Sequence, residues 1–399
     1  MTPTASTPAA RRFWAVFAVG ALVVLAGLYA AHVMETHGHI VTGMNNRIVW
    51  GLPHVFAIFL IVAASGVLNV ASVGSVFRQA AYKPQAPLSG LLCLALLAGG
   101  LAVLMLDLGR PERIVVAATH YNFTSVFAWN MFLYSGLAAI VTVYLWTLMA
   151  PRRVDRSRAA GIAAFAWRIV LTAGTGSIFA FLVARQAFGT AILIPLFLAM
   201  SLAWGLAVFL VAQSALYRWH GLALPAELRQ RMQNLLALFV VAVLFFVLAH
   251  HLTNGYFAKQ AAFERFILRD GGIYPQLFWW GYVFAGSLVP LFLLWRPGAA
   301  GAPGGLAAPW LVIGGGFALL YVFIIGGQAY PQDLFPGFAV SSSFADGIVQ
   351  AYTPSAYELA LGMGGIGIAF LIALVGARVL DFLPNDENAS PQGAGAGAD

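Results

Sequence analysis

Ten long apolar stretches alternate with short polar connections along this chain, and each holds about 19 or more residues, enough to cross a bilayer as a helix. They run roughly over 13–31, 51–77, 88–106, 125–149, 162–184, 191–216, 234–252, 275–295, 310–329 and 356–380. The pattern predicts an all-α integral membrane protein of about ten transmembrane helices. Residues 1–384 read as one polytopic membrane domain. From Asn385 onward the chain is an Ala/Gly/acidic tail with little to bury, expected to be disordered and cytoplasmic.

The polar positions then give a direction. If the N-terminus is cytoplasmic, the inner connections hold thirteen of the 21 Lys and Arg residues and the outer ones seven, with Arg168 expected near the inner end of its helix. That bias predicts both termini inside. Arg11 and Arg12 before the first apolar run imitate a signal peptide. The run is longer than a usual signal core, so a retained helix is the expectation. Seven of the eight histidines fall on the outer side, and only His220 is inner. The inner side is basic and otherwise plain.

Composition agrees with a membrane class and narrows the chemistry. Hydrophobic residues make up 61% and charged residues 9%, against roughly a quarter charged in soluble domains. The pI near 9.7 reports topology and lipid contact before nucleic acid. Cys93 is the single cysteine. One thiol cannot hold an iron–sulfur cluster, a structural zinc or an internal disulfide. Metals that take part in any electron transfer are therefore expected on partner chains.

The densest polar stretch is HVMETHGHIVTGMNNRIVWGLPH, from His32 to His54, between the first two apolar runs. Its residues read as the roof of a pocket, with His54 in the first turn of the second helix as a wall. Glu35, His37 and His39 also fit ordinary exposed loop residues. Asp107 closes the third run beside Arg110 and Pro111, so it is either half of a local ion pair or a chemically active boundary carboxylate. Ser355 and Glu358 after Pro354 have the spacing of a capping box. His250 and His251 adjoin, so at most one is expected to face a common pocket. Tyr330, Pro331 and Asp333 begin a 27-residue outer connection without Lys or Arg, a length typical of docking or lid elements. Glycines 314–316 and Gly362, Gly364, Gly365 and Gly367 permit close helix approach, though glycine is common in membrane helices anyway. A faint internal echo links VFAWNMFLYSGL (Val126 to Leu137) with LFWWGYVFAGSL (Leu277 to Leu288).

Several blocks resemble the NrfD/polysulfide reductase membrane-subunit family. They are WGLPHVFAIFLIVAASGVLNVAS (Trp50 to Ser72), LDLGRPER (Leu106 to Arg113), THYNFTSVFAWNMFLYSG (Thr119 to Gly136) and LTAGTGSIFAFLVARQA (Leu171 to Ala187). FERFILRDGGIY (Phe263 to Tyr274), GGQAYP (Gly326 to Pro331) and YTPSAYELALGMGGIG (Tyr352 to Gly367) complete the set, and the likeness runs from about Arg12 to Leu380. It implies two four-helix bundles with flanking helices, and a site for menaquinone or ubiquinone near the periplasmic end of a bacterial cytoplasmic-membrane protein. It also implies a periplasmic ferredoxin-like iron–sulfur partner, a multihaem cytochrome c and further subunits of one oxidoreductase complex. Proton movement coupled to the electron transfer is a further implication, and no metal is expected on this chain. On that reading His54, Asp107 and Glu35 handle protons, and Asn45, His32, Arg110, Arg185, Tyr274 and His250 contact or wall the quinone. Two other readings stay open. One is a b-type cytochrome using His54 and His250. The other is an anion transporter, disfavoured because the second to tenth runs carry almost no midplane charge and Pro195 and Pro290 lie towards helix ends.

Overall fold

The computed structural model describes residues 8–150, 156–296, 303–332 and 347–380. Asp333, most of the connection that it begins, Arg152, Arg153 and the tail from Asn385 lie outside these residues. Among the described residues ten helices are long and apolar enough to cross a membrane. We number them α1 (Ala10–His37), α2 (Leu52–Ser75), α3 (Ala80–Leu106), α4 (Val126–Met149), α5 (Ser157–Ala180), α6 (Leu193–Trp219), α7 (Ala226–Tyr256), α8 (Ile273–Trp295), α9 (Leu306–Ala329) and α10 (Ala356–Val379). The described residues are helical apart from turns and connections, with no strand. That is what a bilayer demands, because a helix satisfies its own backbone where no water can.

The order of packing follows from how apolar each helix is all round. Helix α2 is buried over 94% of its most apolar window, whereas α1 is buried over only 22%. Accordingly α2 is the hub, packing against α3, α5, α6 and α10. Helices α2 to α5 form one group, with α4 against α3 and α5. Helices α6 to α9 form a second, and α6 joins the two groups by packing on α2 and α5. The pair α1 and α10 flanks the first group, with α10 lying on α3 and α2. Close approach at glycine makes these contacts possible. A Cβ on Gly66 of α2 would overlap the Ser201 carbonyl of α6, and one on Gly27 of α1 would lie 2.7 Å from the Gly364 Cα of α10.

Three sequence expectations change here. Helix α5 begins at Ser157 and ends at Ala180, so Arg168 lies at the middle of its helix and not near the inner end. The midplane therefore does carry a charge, which removes part of the argument against a transporter. The echo between α4 and α8 is not matched in geometry: Val126–Met149 is regular α-helix, while Leu277–Leu288 is π-helical. Further π-helical turns occur at Phe266–Asp270 and Tyr321–Gly326, so among the described residues the π-helical winding belongs to the second half of the chain, while in the first group α3 opens with a 3-10 turn at Ala80–Gln85.

The α2–α6 contact supplies a direct test of this packing. Gly66→Val should cost several kcal/mol, on the order of a large core overpacking defect. Size-exclusion and thermal unfolding of the purified variant should show loss of the monodisperse folded peak, whereas Gly255→Ala, at an exposed helical position with open space around it, should keep it.

Candidate functional site

The connection between α1 and α2 is irregular apart from a single 3-10 turn at His39–Val41, yet it sits across the end of the bundle, so its backbone groups need partners. Side chains from four different elements provide them. From α10, Glu358 accepts hydrogen bonds from the Gly43 N–H (2.8 Å) and the Ser355 N–H (2.7 Å). Its other oxygen accepts from the Tyr352 hydroxyl at 2.5 Å, and that hydroxyl accepts from the Leu52 N–H at 2.6 Å. From α9, Gln328 accepts from the Val49 and Trp50 N–H groups and donates to the Trp50 carbonyl. From the α5–α6 connection, Arg185 donates to the carbonyl oxygens of Arg47 (2.6 Å) and Gln328 (2.7 Å). From the end of α3, Asp107 receives two histidines.

That last contact is the centre of the site. His54 is in the first turn of α2, which starts at Leu52 with Pro53 supplying a preset backbone angle. His54 Nδ1 lies 2.8 Å from Asp107 Oδ2. His39, in a short turn after α1, places Nε2 3.0 Å from the Asp107 carbonyl oxygen and 3.8 Å from its Oδ1. Gly109, with φ of 68°, turns the chain directly after Asp107, and a Cβ there would press on the His39 ring at 3.1 Å. The Asp107 side chain is 1% exposed, against 16% for His54 and 34% for His39. Asp107 Oδ2 and His54 Nδ1 thus lie within ion-pair distance, away from solvent. The Trp50 indole stacks beside the His54 ring with centroids 5.9 Å apart, and Phe179 meets Trp50 edge-on.

The electrostatics follow from this geometry. Burial alone would raise the Asp107 carboxyl, but contact with His39 and His54 and their charges outweighs it and holds the group below the ordinary carboxylate value. Contact with the Asp107 side chain raises His39, against a smaller opposing effect of its own burial. The pair thus favours a carboxylate facing a histidine that holds a proton readily.

The sequence-predicted residues separate into two groups. His54 and Asp107 are brought together, and His39, which also fitted an ordinary loop residue, joins them. Arg110 is exposed and forms no ion pair with Asp107 among the described residues, so the local-pair alternative for that carboxylate gives way to histidine pairing. Glu35 and His32 lie exposed at the end of α1. Asn45 is exposed, and its side-chain oxygen accepts from the Arg47 and Ile48 N–H groups, closing a local turn. Arg185 spends its guanidinium on backbone carbonyls. Tyr274 is buried among Phe266 and Tyr321 in the second helix group.

His250 belongs to a second cluster. There His251 Nδ1 lies 2.6 Å from Glu264 Oε2, and Asn254 donates to Glu264 Oε1 at 2.9 Å. Asn254 also meets His250 Nε2 at 3.2 Å, while His250 Nδ1 has no partner. Both histidines border one cavity with Phe263, Ile267, Phe278 and Phe323. Adjacent residues differ by about 100° around a helix, and this cavity wraps far enough around α7 to meet both. The capping box is present as expected: Ser355 Oγ accepts from the Glu358 N–H, and Glu358 returns the bond. Gln328 and Tyr352 were the residues with least signal in sequence, since a lone glutamine or tyrosine at a helix boundary announces nothing. Among the described residues no group of three or more His, Cys, Asp or Glu is placed to hold a metal ion.

Fold and site together define a polytopic helical membrane protein with a buried carboxylate–histidine pair under one end of its bundle. The family profile of polysulphide reductase, NrfD, matches residues 40–332, and the chain belongs to that family. Similar chains include the Hdr-like menaquinol oxidoreductase integral membrane subunit of Archaeoglobus fulgidus, 26% identical with 94% of each chain covered. A provisionally named membrane subunit of dimethyl sulfoxide reductase from Halobacterium salinarum is 27% identical, with 90% of this chain and 89% of that one covered. The C subunit of selenate reductase from Mesobacillus selenatarsenatis is 21% identical over 89% of this chain and 91% of its own.

Two outcomes check this geometry. Replacing Glu358 by Ala removes three hydrogen bonds to a buried carboxylate and should destabilise by about 3–5 kcal/mol, whereas Ser355→Ala, losing one cap, should cost only about 1 kcal/mol; thermal unfolding of both variants reads the difference. The raised His39 contributes stability that is present below its ordinary pKa of 6.5 and lost as pH rises through its folded value. The lowered Asp107 contributes stability present above its ordinary 3.8 and lost as pH falls through its folded value. The stability difference between the wild type and His39→Gln should therefore be larger near about pH 5.5 than near about pH 8.5.

Proposed function

We propose that this chain is the quinone-interacting membrane subunit of a respiratory-type oxidoreductase complex, and that His54 and Asp107 form its reactive wall. The observation that carries the reading is the buried Asp107 carboxylate held between His39 and His54, two side chains that can exchange protons near neutral pH. A structural carboxylate in this same chain, Glu358, is held by two backbone N–H groups and a hydroxyl; Asp107 meets two imidazoles instead. The names of the relatives support the choice of ligand, since one belongs to a menaquinol oxidoreductase and the other two to reductases.

The residues present fit a quinone head group. A ring needs an aromatic or apolar wall, which Trp50 with Phe179 and Phe188 can supply. Its carbonyl oxygens need donors, and histidine can donate, accept and exchange protons near neutral pH. When bound, the quinone supplies two-electron, two-proton redox chemistry. The chain does the rest. Asp107 holds the His54 ring through Nδ1, leaving Nε2 as the nitrogen that faces a ligand. His39, partly exposed, connects Asp107 to the aqueous side and can pass its proton outward. Trp50 and the Gln328 clamp on its backbone keep water from the His54 ring.

The electron partner in this reading is an iron–sulfur subunit docked over the histidine-bearing end, with a multihaem cytochrome c in the same assembly, and that end faces the periplasm as the arginine bias predicts. Within the family, MNNRIVWGLPH (Met44 to His54) and the ten-span layout resemble DsrP, the quinone-interacting subunit of the DsrMKJOP complex linked to dissimilatory sulfite reductase, and the reading extends to a role in sulfur metabolism. Glu35, His32 and Arg110, exposed near the same end, are better suited to contact with that partner than to the pocket.

Binding of a quinol analogue to the purified chain tests the site. His54→Ala and Asp107→Asn should each weaken it by about tenfold or more, the loss of one hydrogen bond to a charged group. Unchanged affinity in both variants would remove the site from this cluster.

A further inference from the structure

Arg168 has no role in the site above and stands at the middle of α5. It is 5% exposed. Its main chain is well used: the carbonyl accepts from Ser65 Oγ at 3.1 Å and from Thr172 Oγ1 at 2.9 Å. Its side chain is not. The guanidinium carbon sits over the Phe165 ring at 4.9 Å, and Nε has no hydrogen-bond partner. Among the described residues no carboxylate forms an ion pair with it.

The same side chain borders a cavity of about 400 Å³ between α2, α5, α6 and α7, whose lining includes Asn69, Val73, Ser201, Leu202 and Phe239. That size falls in the range of about 300–1,000 Å³ usual for small-molecule pockets. An arginine cannot lose its charge here, and an uncompensated cation at midplane depth is costly and marks a functional position. The aromatic face of Phe165 offsets part of that charge. No Asp or Glu is among the residues that line the cavity.

Direction narrows the source. A helical side chain leans towards the N-terminal end of its helix, which for α5 is the Ser157 end. Phe77, Tyr82 and Met232 border the cavity, and their sequence neighbours Arg78, Lys83 and Arg231 are exposed. The cavity therefore holds one buried cation, and three exposed basic residues adjoin, without lining it, the residues that border its Phe77 and Tyr82 side. Basic pockets between membrane helices select acidic lipid head groups.

We propose that this cavity binds one anionic membrane lipid, its acidic oxygens drawn to Arg168 and an acyl chain lying along Val73, Leu202 and Phe239. The site is separate from the His54–Asp107 cluster and does not depend on the quinone reading.

The full chain, purified in detergent, can be titrated with phosphatidylglycerol, phosphatidylcholine or a short-chain menaquinone analogue while bound lipid is counted by native mass spectrometry. Wild type should retain phosphatidylglycerol about tenfold more tightly than phosphatidylcholine, the scale of one charged contact. Arg168→Met should lose that preference, and Arg168→Lys should keep most of it. Leu202→Trp, which fills the cavity and leaves the cation in place, should also lose it, and this variant decides the matter if Arg168→Met does not fold. His54→Ala should leave the preference intact. Equal retention of the two phospholipids, a preference that survives Leu202→Trp, or displacement of phosphatidylglycerol by the menaquinone analogue in a manner dependent on Arg168 would each overturn the proposal.

Discussion

Non-helical backbone at the end of a membrane bundle must find hydrogen-bond partners within the protein, and this requirement organises the whole histidine-bearing end. The segment between α1 and α2 is met by Glu358 and Tyr352, by Gln328, by Arg185 and by Asp107, each from a different direction. Together they fix Trp50 and the start of α2, and hence the ring of His54. A loop held at so many points is a rigid roof, and a rigid roof is what a site needs if a ring and a carboxylate are to stay within bonding reach of a ligand.

Two buried carboxylates at this end have opposite fates, and the contrast carries the functional reading. Glu358 is fully buried and accepts from two backbone N–H groups and a hydroxyl, so its capacity is used in holding the roof. Asp107 is also buried but meets only imidazoles, one of them reaching towards water. Imidazoles can change protonation near neutral pH and backbone amides cannot. A carboxylate whose neighbours titrate is suited to moving protons; one whose neighbours do not is a fastener. The His251–Glu264 pair near α7 repeats the first arrangement beside a smaller cavity, with the unpartnered His250 Nδ1 next to it.

The helices were legible in the sequence because a bilayer imposes one solution on long apolar runs; ten runs gave ten helices, with ends displaced mainly where polar residues extend a helix beyond the apolar core, as at Ala226–Tyr256. Within the site, His54 and Asp107 stood out because ionisable groups are rare in this chain. His39 did not, since nothing local distinguishes it from His37; the difference is the long-range contact with Asp107, 68 positions away. Gln328 and Tyr352 act across separations of 278 and 300 residues, and single-sequence patterns carry no such information. Arg168 was visible as a residue but misplaced in depth, because the apolar run locates a helix less well than its polar first turn does.

The reactive role proposed for His54 and Asp107 depends on where a quinone-site ligand sits. A structure of the purified chain with a bound quinol analogue measures that directly. The expected result is density under the roof segment, with a ring oxygen within hydrogen-bond distance of His54 and the head group against Trp50. Ligand density confined to the His250–Glu264 cavity, or to the Arg168 cavity, with the His54–Asp107 pair unchanged, would contradict it.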